Sequence, residues 1–278
     1  MTDESERQLG CGLESLAPLL KWPGGKRVLL PALRAHLPDS YNRYYEPFLG
    51  GAALFLSLRP ASASLSDTNS DLINCYRCVR DCPSRVIRSL QGLPNNEDAY
   101  LLVRTWRPRK RAERAARIIY LASLSFNGIY RVNRKGEFNV PYGHKSSVDV
   151  VQAERIMSMS RALEGASLSC SDFEEAVSAA VPGDLVYMDP PYTVTHGRNG
   201  FLKYNSRIFS WGDQERLARV ARDLAGRGCH VLVTNACHPS IRELYTGMTL
   251  ITVTRHSRMA ASPKHRGRVS ELIISNLA

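Results

Sequence analysis

The chain has 278 residues, with 37 Lys plus Arg against 26 Asp plus Glu, a formal net charge of +11 and a pI near 9.5. That length suits one large α/β domain with an insertion, or two domains, and the basic excess suits a polyanionic partner. No apolar run approaches about 18 residues, which argues against a membrane span; the first dozen residues lack a secretory pattern; and seven cysteines, an odd number, read as free thiols in a reducing cytoplasm.

Residues 1–17 are expected to form a flexible arm. In Leu20-Lys21-Trp22-Pro23-Gly24-Gly25-Lys26 two glycines behind a proline make a turn whose backbone can approach a ligand closely. Trp22 adds a flat apolar face and Lys26 a positive charge. A helix is expected over Arg27 to Leu37. Tyr44 to Phe55 then reads as strand, glycine turn and helix, a pattern that sets a ligand against bare backbone at a helix N-terminus. The turn does not fit G-x-G-x-x-G, so the nicotinamide and flavin fingerprint is not met. The next strand, Ala63 to Ser66, ends at Asp67, 17 residues after Gly50. An acid at that distance can bind ribose hydroxyls, and Asp67-Thr68-Asn69 also suits a helix N-cap. Cys75, Cys78 and Cys82 share one helical face but lack a fourth ligand nearby, so no metal is expected.

The charge is unevenly placed. Residues 76–165 hold 17 basic and 8 acidic side chains, and the remainder 20 and 18. Arg104 to Arg111 leads a basic helix ending near Ser125. Phe126 to Lys145 reads as a β-hairpin turning at Arg134-Lys135-Gly136, and it displays the Arg and Asn side chains that bond base edges in pairs. After residue 165 the α/β pattern resumes with a strand Ser167 to Ser169, then Ser171-Asp172-Phe173 opening a helix. There Asp172 can cap the helix or bond an adenine amino group, with Phe173 flanking the ring.

The stretch Asp184 to Tyr192 organises the rest. Leu185 to Met188 is a short buried strand that Pro190 and Pro191 cannot continue. Asp189 is therefore left at the carboxyl end of a strand, where ligands bind in open α/β sheets. A carboxylate, a fixed proline carbonyl and the Tyr192 ring together suit a flat molecule bearing an amine. Thr193 to Phe209, with His196-Gly197-Arg198-Asn199-Gly200, is a long polar loop of the kind that covers sites. A helix from Trp211, a strand His230 to Asn235 and a final antiparallel pair, Leu250 to Arg255 with Val269 to Asn276, complete the chain.

The segments Leu20 to Lys26, Glu46-Pro47-Phe48-Leu49-Gly50-Gly51, Asp67-Thr68-Asn69 and Asp189-Pro190-Pro191-Tyr192, in this order, resemble the Dam-like (D12 class) family of DNA adenine-N6 methyltransferases, as does Arg131 to Gly143. The resemblance runs from about residue 18 to the end. It implies an α/β fold, the Rossmann-like S-adenosylmethionine-dependent methyltransferase sheet: mixed, with a parallel core and a C-terminal antiparallel pair. It also implies that residues 18–75 and 166–278 form the catalytic domain, and that 76–165 form an inserted, mainly helical target-recognition domain with a β-hairpin. By the same resemblance Trp22, Lys26, Asp67 and Asp189 hold S-adenosyl-L-methionine, and Phe48, Gly50, Asp172 and Phe173 line its pocket. Lys21, Arg131, Asn133, Asn139 and Pro141 fall in stretches used on double-stranded DNA. Asn127 and His144 of the same segment, and Arg198 of the later loop, join that set. The implied chemistry is methyl transfer to a flipped adenine, with Asp189 and the Pro190 carbonyl taking the two amine hydrogens and Tyr192 stacking on the base. No metal and no membrane are implied; a cognate restriction endonuclease is an optional partner.

Two positions depart from the family pattern. Ala52 stands where many members have a glycine. His144 stands where GATC-specific members have an arginine, and since the two present different donors, GATC does not carry over as the recognised site. The rival readings are methyltransferases of glutamine or RNA, which carry Asn at the position of Asp189, of cytosine N4, which carry Ser there, and a catalytically silent DNA-binding regulator on the same fold.

Overall fold

The computed structural model describes residues 16–133, 135–145, 147–193, 209–256 and 268–277. Seven strands form one sheet: β1 (Tyr44–Glu46), β2 (Ala63–Ser66), β3 (Ser167–Ser169), β4 (Leu185–Met188), β5 (His230–Ala236), β6 (Thr249–His256) and β7 (Arg268–Ser275). Their order is β3-β2-β1-β4-β5-β7-β6. The first five are parallel; β7 runs antiparallel to both β5 and β6.

The sheet is covered on both faces, which is why its central strands read as continuous apolar runs. All four residues of β4 are buried. Alternation sends Leu185 and Tyr187 to one face and Val186 and Met188 to the other. Beneath the second face lie α8 (Phe173–Ala176), α9 (Trp211–Gly226) and α10 (Pro239–Leu244). The first face carries α1 (Leu30–Arg34), α2 (Ala53–Leu58), α3 (Ser70–Asp81), α4 (Pro83–Gln91), α5 (Glu97–Thr105), α6 (Arg111–Leu124) and α7 (Ala153–Ala162). Helices α4 to α7 all fall between α3 and β3, and they share one apolar cluster with the sheet. Helix α3 runs unbroken through residue 75, so the sheet and the helical insertion are joined by a rigid element. Asn69 caps it, accepting from the backbone N–H groups of Asp71 and Leu72.

The hairpin is reduced to single bridges. Val132 pairs with Phe138 and Ser125 with Tyr142, with no continuous strands between. Pro141 offers no N–H to a ladder, and Asn133 spends its side-chain oxygen on the turn, accepting from Lys135 N and Glu137 N. The expected helix after Lys26 begins as a 3-10 turn, Arg27–Leu29, and ends at Arg34. Cys75 and Cys78 are buried thiols, and among the described residues no group of acids, histidines and cysteines is arranged for a metal. Of the expected N-terminal arm only its last two residues are described, and Leu16 packs against the core.

Candidate active site

The strand order reverses between β1 and β4, since β2 and β3 lie to one side of β1 and β5 to the other side of β4. In an open α/β sheet the crevice at such a switch point is where ligands bind, outside the carboxyl ends of the strands. The turn after β1 contains Gly50; Asp67 follows β2, Asp172 follows β3 and Asp189 follows β4. The topology therefore brings four separately positioned sequence candidates to one edge of the sheet.

Asp189 is the centre of a bonded cluster. Lys26 Nζ lies 2.9 Å from Asp189 Oδ1 and also donates to the Gly24 carbonyl at 2.8 Å. Lys26 is only 6 % exposed, so it is a buried cation held by its own turn rather than a surface lysine. The Thr234 hydroxyl donates to the same Asp189 oxygen at 2.6 Å. Burial pushes the Asp189 carboxyl above its ordinary value, and the ammonium of Lys26 and hydroxyl of Thr234 pull it back. Tyr192 donates its hydroxyl to Glu271 Oε2 at 2.8 Å, with Lys26 Nζ 4.6 Å from its ring centroid. The Pro191 carbonyl accepts from Gln214 Nε2 at 3.3 Å, and Gln214 in turn accepts from Asn235 at 2.9 Å.

The glycine turn is tied from three sides. Gly50 N donates to Asp67 Oδ2 at 3.1 Å, and the Gly50 carbonyl accepts from the Tyr76 hydroxyl at 2.9 Å. Trp22 packs so closely that a Cβ on Gly50 would sit 2.9 Å from the indole Cδ1. Asp67 also accepts from Asn69 N at 2.9 Å, so it braces the turn while Asn69 caps α3. Phe48 stacks on Phe173, centroids 5.3 Å apart, and makes an apolar wall. Asp172 caps α8 and is held by both terminal nitrogens of Arg216 at 2.8 Å, which leaves its carboxylate committed to an ion pair.

The DNA-facing candidates cluster separately, on the hairpin and its base. Arg131 Nε bonds the Asn139 side-chain oxygen at 2.9 Å across the hairpin, and Asn133 Nδ2 bonds Glu137 at 2.9 Å. Asn127 is exposed, in a left-handed conformation at φ 55°. Lys21 lays its stem over Gly128, where a Cβ would come within 2.6 Å of it. The Pro141 carbonyl accepts from Phe126 N at 2.9 Å, and His144 is exposed beside Tyr142. Arg104, Arg107, Asn133 and Asn139 line an open groove of about 540 Å³. Trp22 stacks on Tyr130, 4.6 Å between centroids, so the loop of Lys26 and the base of the hairpin touch. Arg198 lies outside the described residues.

Thr234, Glu271, Gln214 and Tyr76 were not singled out in the sequence. Glu271 carried a readable signal: it is an acid in the middle of β7, directly before the buried run Leu272-Ile273-Ile274. Thr234 carried none, since threonine is an ordinary strand residue.

A sheet of this order, with acids at the carboxyl ends of its parallel strands and an antiparallel β6–β7 pair, has the S-adenosylmethionine-dependent methyltransferase fold. Residues 22–259 match the D12 class N6 adenine-specific DNA methyltransferase family, and the chain belongs to that family. It is 39% identical over 94% of its length to a Type II methyltransferase, M1.LlaDCHI, of Lactococcus lactis subsp. cremoris, covering 96% of that protein. It is 30% identical over 93% of its length to the Type II methyltransferase M.MjaIII of Methanocaldococcus jannaschii, covering 98% of it. To the DNA adenine methylase of Escherichia coli K12 it is 30% identical over 91% of its length, covering 93% of that protein.

Proposed function

We propose that this chain transfers a methyl group from S-adenosyl-L-methionine to the N6 amine of an adenine at a specific site in duplex DNA. The donor set suits that cofactor: a braced glycine turn after β1, acids at the ends of β2 and β4, and the apolar Phe48–Phe173 wall. On this reading Asp67 accepts from ribose hydroxyls with the lone pairs that its bonds to Gly50 N and Asn69 N leave, and Asp172 contributes through the shape that its Arg216 pair gives the wall. When bound, the cofactor would supply a methyl already activated on a sulfonium: the amine nitrogen forms the new N–C bond as the S–CH3 bond breaks, a neutral thioether leaves, and the extra amine proton is lost afterwards.

An aromatic amine is a weak nucleophile because its lone pair is delocalised into the ring. Asp189 and the Pro190 carbonyl each accept one amine hydrogen, which draws the lone pair back onto nitrogen and orients it. Tyr192 stacks on the base. In a duplex that amine is stacked and paired, so the adenine must be swung out into the site. Alignment of this kind accounts for on the order of 7–11 kcal/mol of barrier at best. Residues 76–165 act as a target-recognition domain and residues 18–75 with 166–278 as the catalytic domain, the hairpin and the groove beside Arg104 and Arg107 facing the duplex.

One observation carries the reading. The Lys26 and Thr234 contacts of Asp189 both fall on Oδ1, and its side chain keeps 18 % of its surface exposed, so the second carboxylate oxygen is left to accept from a substrate. Asp189→Ala is expected to abolish transfer of labelled methyl to duplex DNA while leaving DNA affinity within about threefold, because the phosphate contacts that dominate affinity lie elsewhere. Near wild-type turnover in the variant would overturn the assignment. Digestion of the product to nucleosides identifies the base.

A further inference from the structure

Strands β5 and β7 contribute two buried polar side chains that both end on the amine-binding groups. The parallel register pairs Met188 with Val233, so the next residue of each strand, Asp189 and Thr234, lie side by side where β4 stops. Thr234 is fully buried and gives its only hydroxyl proton to Asp189 Oδ1 at 2.6 Å. A hydroxyl has one proton and an ionised carboxylate has none, so the 3.4 Å contact between Tyr187 and Thr234 has Tyr187 as donor. Glu271 stands opposite Ala236 in the antiparallel β5–β7 register and is 1 % exposed. Its Oε2 accepts from the Tyr192 hydroxyl at 2.8 Å and lies 3.8 Å from Lys26 Nζ. Neither residue is needed by the strand it occupies. An apolar residue at position 271 would avoid the cost of desolvating a carboxylate, which is repaid only by close partners.

We propose that Thr234 and Glu271 are positioning residues for methyl transfer. Thr234 fixes the rotation of the Asp189 carboxylate by holding Oδ1, which turns Oδ2 toward the amine. Glu271 fixes the Tyr192 ring through its hydroxyl, and it shares Lys26 with Asp189, so this buried cation ties the carboxylate and the ring into one rigid unit. The role rests on the proposed function and assigns it two residues outside the Asp189-Pro190-Pro191-Tyr192 segment.

The test compares Thr234→Val, Thr234→Ser, Glu271→Leu and Tyr192→Phe in single-turnover transfer of labelled methyl to duplex DNA, with cofactor affinity measured by calorimetry. Thr234→Val and Glu271→Leu should slow transfer about 10- to 100-fold, the loss expected when reacting groups are misplaced by about 1 Å. Cofactor and DNA affinities should stay within about threefold, and Thr234→Ser should recover most of the rate. Glu271→Leu combined with Tyr192→Phe should be little slower than either alone, because both break the same bond. Full rates in the variants, a drop explained wholly by lost affinity, no rescue by serine, or additive losses would each overturn the proposal. Label found on a base other than adenine sinks the proposed function instead, while the variant ratios still decide the positioning roles. Crystals of Glu271→Leu and Thr234→Val with sinefungin give a readout that needs no turnover: displaced Tyr192 and Asp189 support the proposal, and unmoved groups refute it.

Discussion

Glu46 ends β1 at 2 % exposure, with the Tyr44 hydroxyl donating to its Oε2 at 2.8 Å. Burial raises its carboxyl to about 8, partly offset by the Tyr44 hydrogen bond, with the nearby charge of Asp189 adding to the rise. Glu46 is therefore protonated in the fold at neutral pH, whereas in the unfolded chain it ionises near 4.5. The folded state holds this proton more tightly, so the stability it contributes is complete below about 4.5 and is lost as pH rises towards about 8. Each unit of pH in that window weakens the fold by about 1.4 kcal/mol per such group. Glu46→Gln removes the term. Urea unfolding at pH 5.5 and pH 8.5 should show wild type losing more stability than the variant, by about 2 kcal/mol or more; parallel losses would mean Glu46 is ionised in the fold. At this scale the sequence was half legible. Asp189 announces itself by standing between an apolar run and two prolines, and Lys26 by its glycine turn. Glu46 stood before Pro47 without a role, and Thr234 was invisible as a partner, because a contact between the ends of β4 and β5 depends on register, which a single strand does not carry; Glu271 was legible as an acid in an apolar strand but not as the partner of Tyr192.

The glycine turn after β1 shows how an element constrains its residues. Gly50 has φ +44°, and its backbone N–H and carbonyl are both bonded, so its bare Cα is what admits the Trp22 indole. Gly50→Ala would place a methyl 2.9 Å from that ring in a conformation L side chains rarely adopt. The expected cost is about 1–3 kcal/mol from overpacking, with about 1–2 kcal/mol more from the left-handed backbone. Cofactor affinity should fall with it, since Trp22 and Asp67 both lean on this residue. Gly136→Ala is the control: φ is +75° but the space around it is open, so only the backbone cost applies. Equal losses of urea stability in the two variants would show that the indole contact contributes nothing. Ala52 fits the same logic. It adopts φ 57° and ψ 34°, a left-handed conformation in which glycine is least strained and alanine is the smallest residue with a side chain. Strand β4 ran over the residues expected from sequence because a short apolar run closed by prolines has one reading. The hairpin fell short of strands because its polar side chains bond one another and the turn, an outcome settled by side-chain geometry rather than by alternation.

Across the whole molecule, charge decides less than its count implies. Residues 76–165 carry 17 cations, but the fold spends several of them internally. Arg77 and Arg80 donate to the carbonyls of Leu168 and Ala166, Arg117 to Val103 and Arg104, and Lys145 to Ser123 and Ser125. Arg114 is paired with Asp71 and Lys110 with Glu113. Exposed around the groove and hairpin are Arg107, Arg109, Arg111, Arg131 and Lys135, of which Arg107 reaches Glu137, Arg111 reaches Asn74 and Arg131 reaches Asn139 by surface contacts that phosphates can replace. On the proposed function these are the groups that meet phosphates, about five rather than 17. Each neutralised phosphate contributes a slope of about −0.9 to log K against log salt, so five give roughly −4.5. Raising salt from 50 to 200 mM should then weaken duplex binding roughly 500-fold in a fluorescence-anisotropy titration. A slope several times steeper would mean that the internally bonded arginines let go of their carbonyls on binding. A nearly flat profile would place the duplex on a surface other than this one, because no arrangement of exposed cations against phosphates escapes the release of counterions.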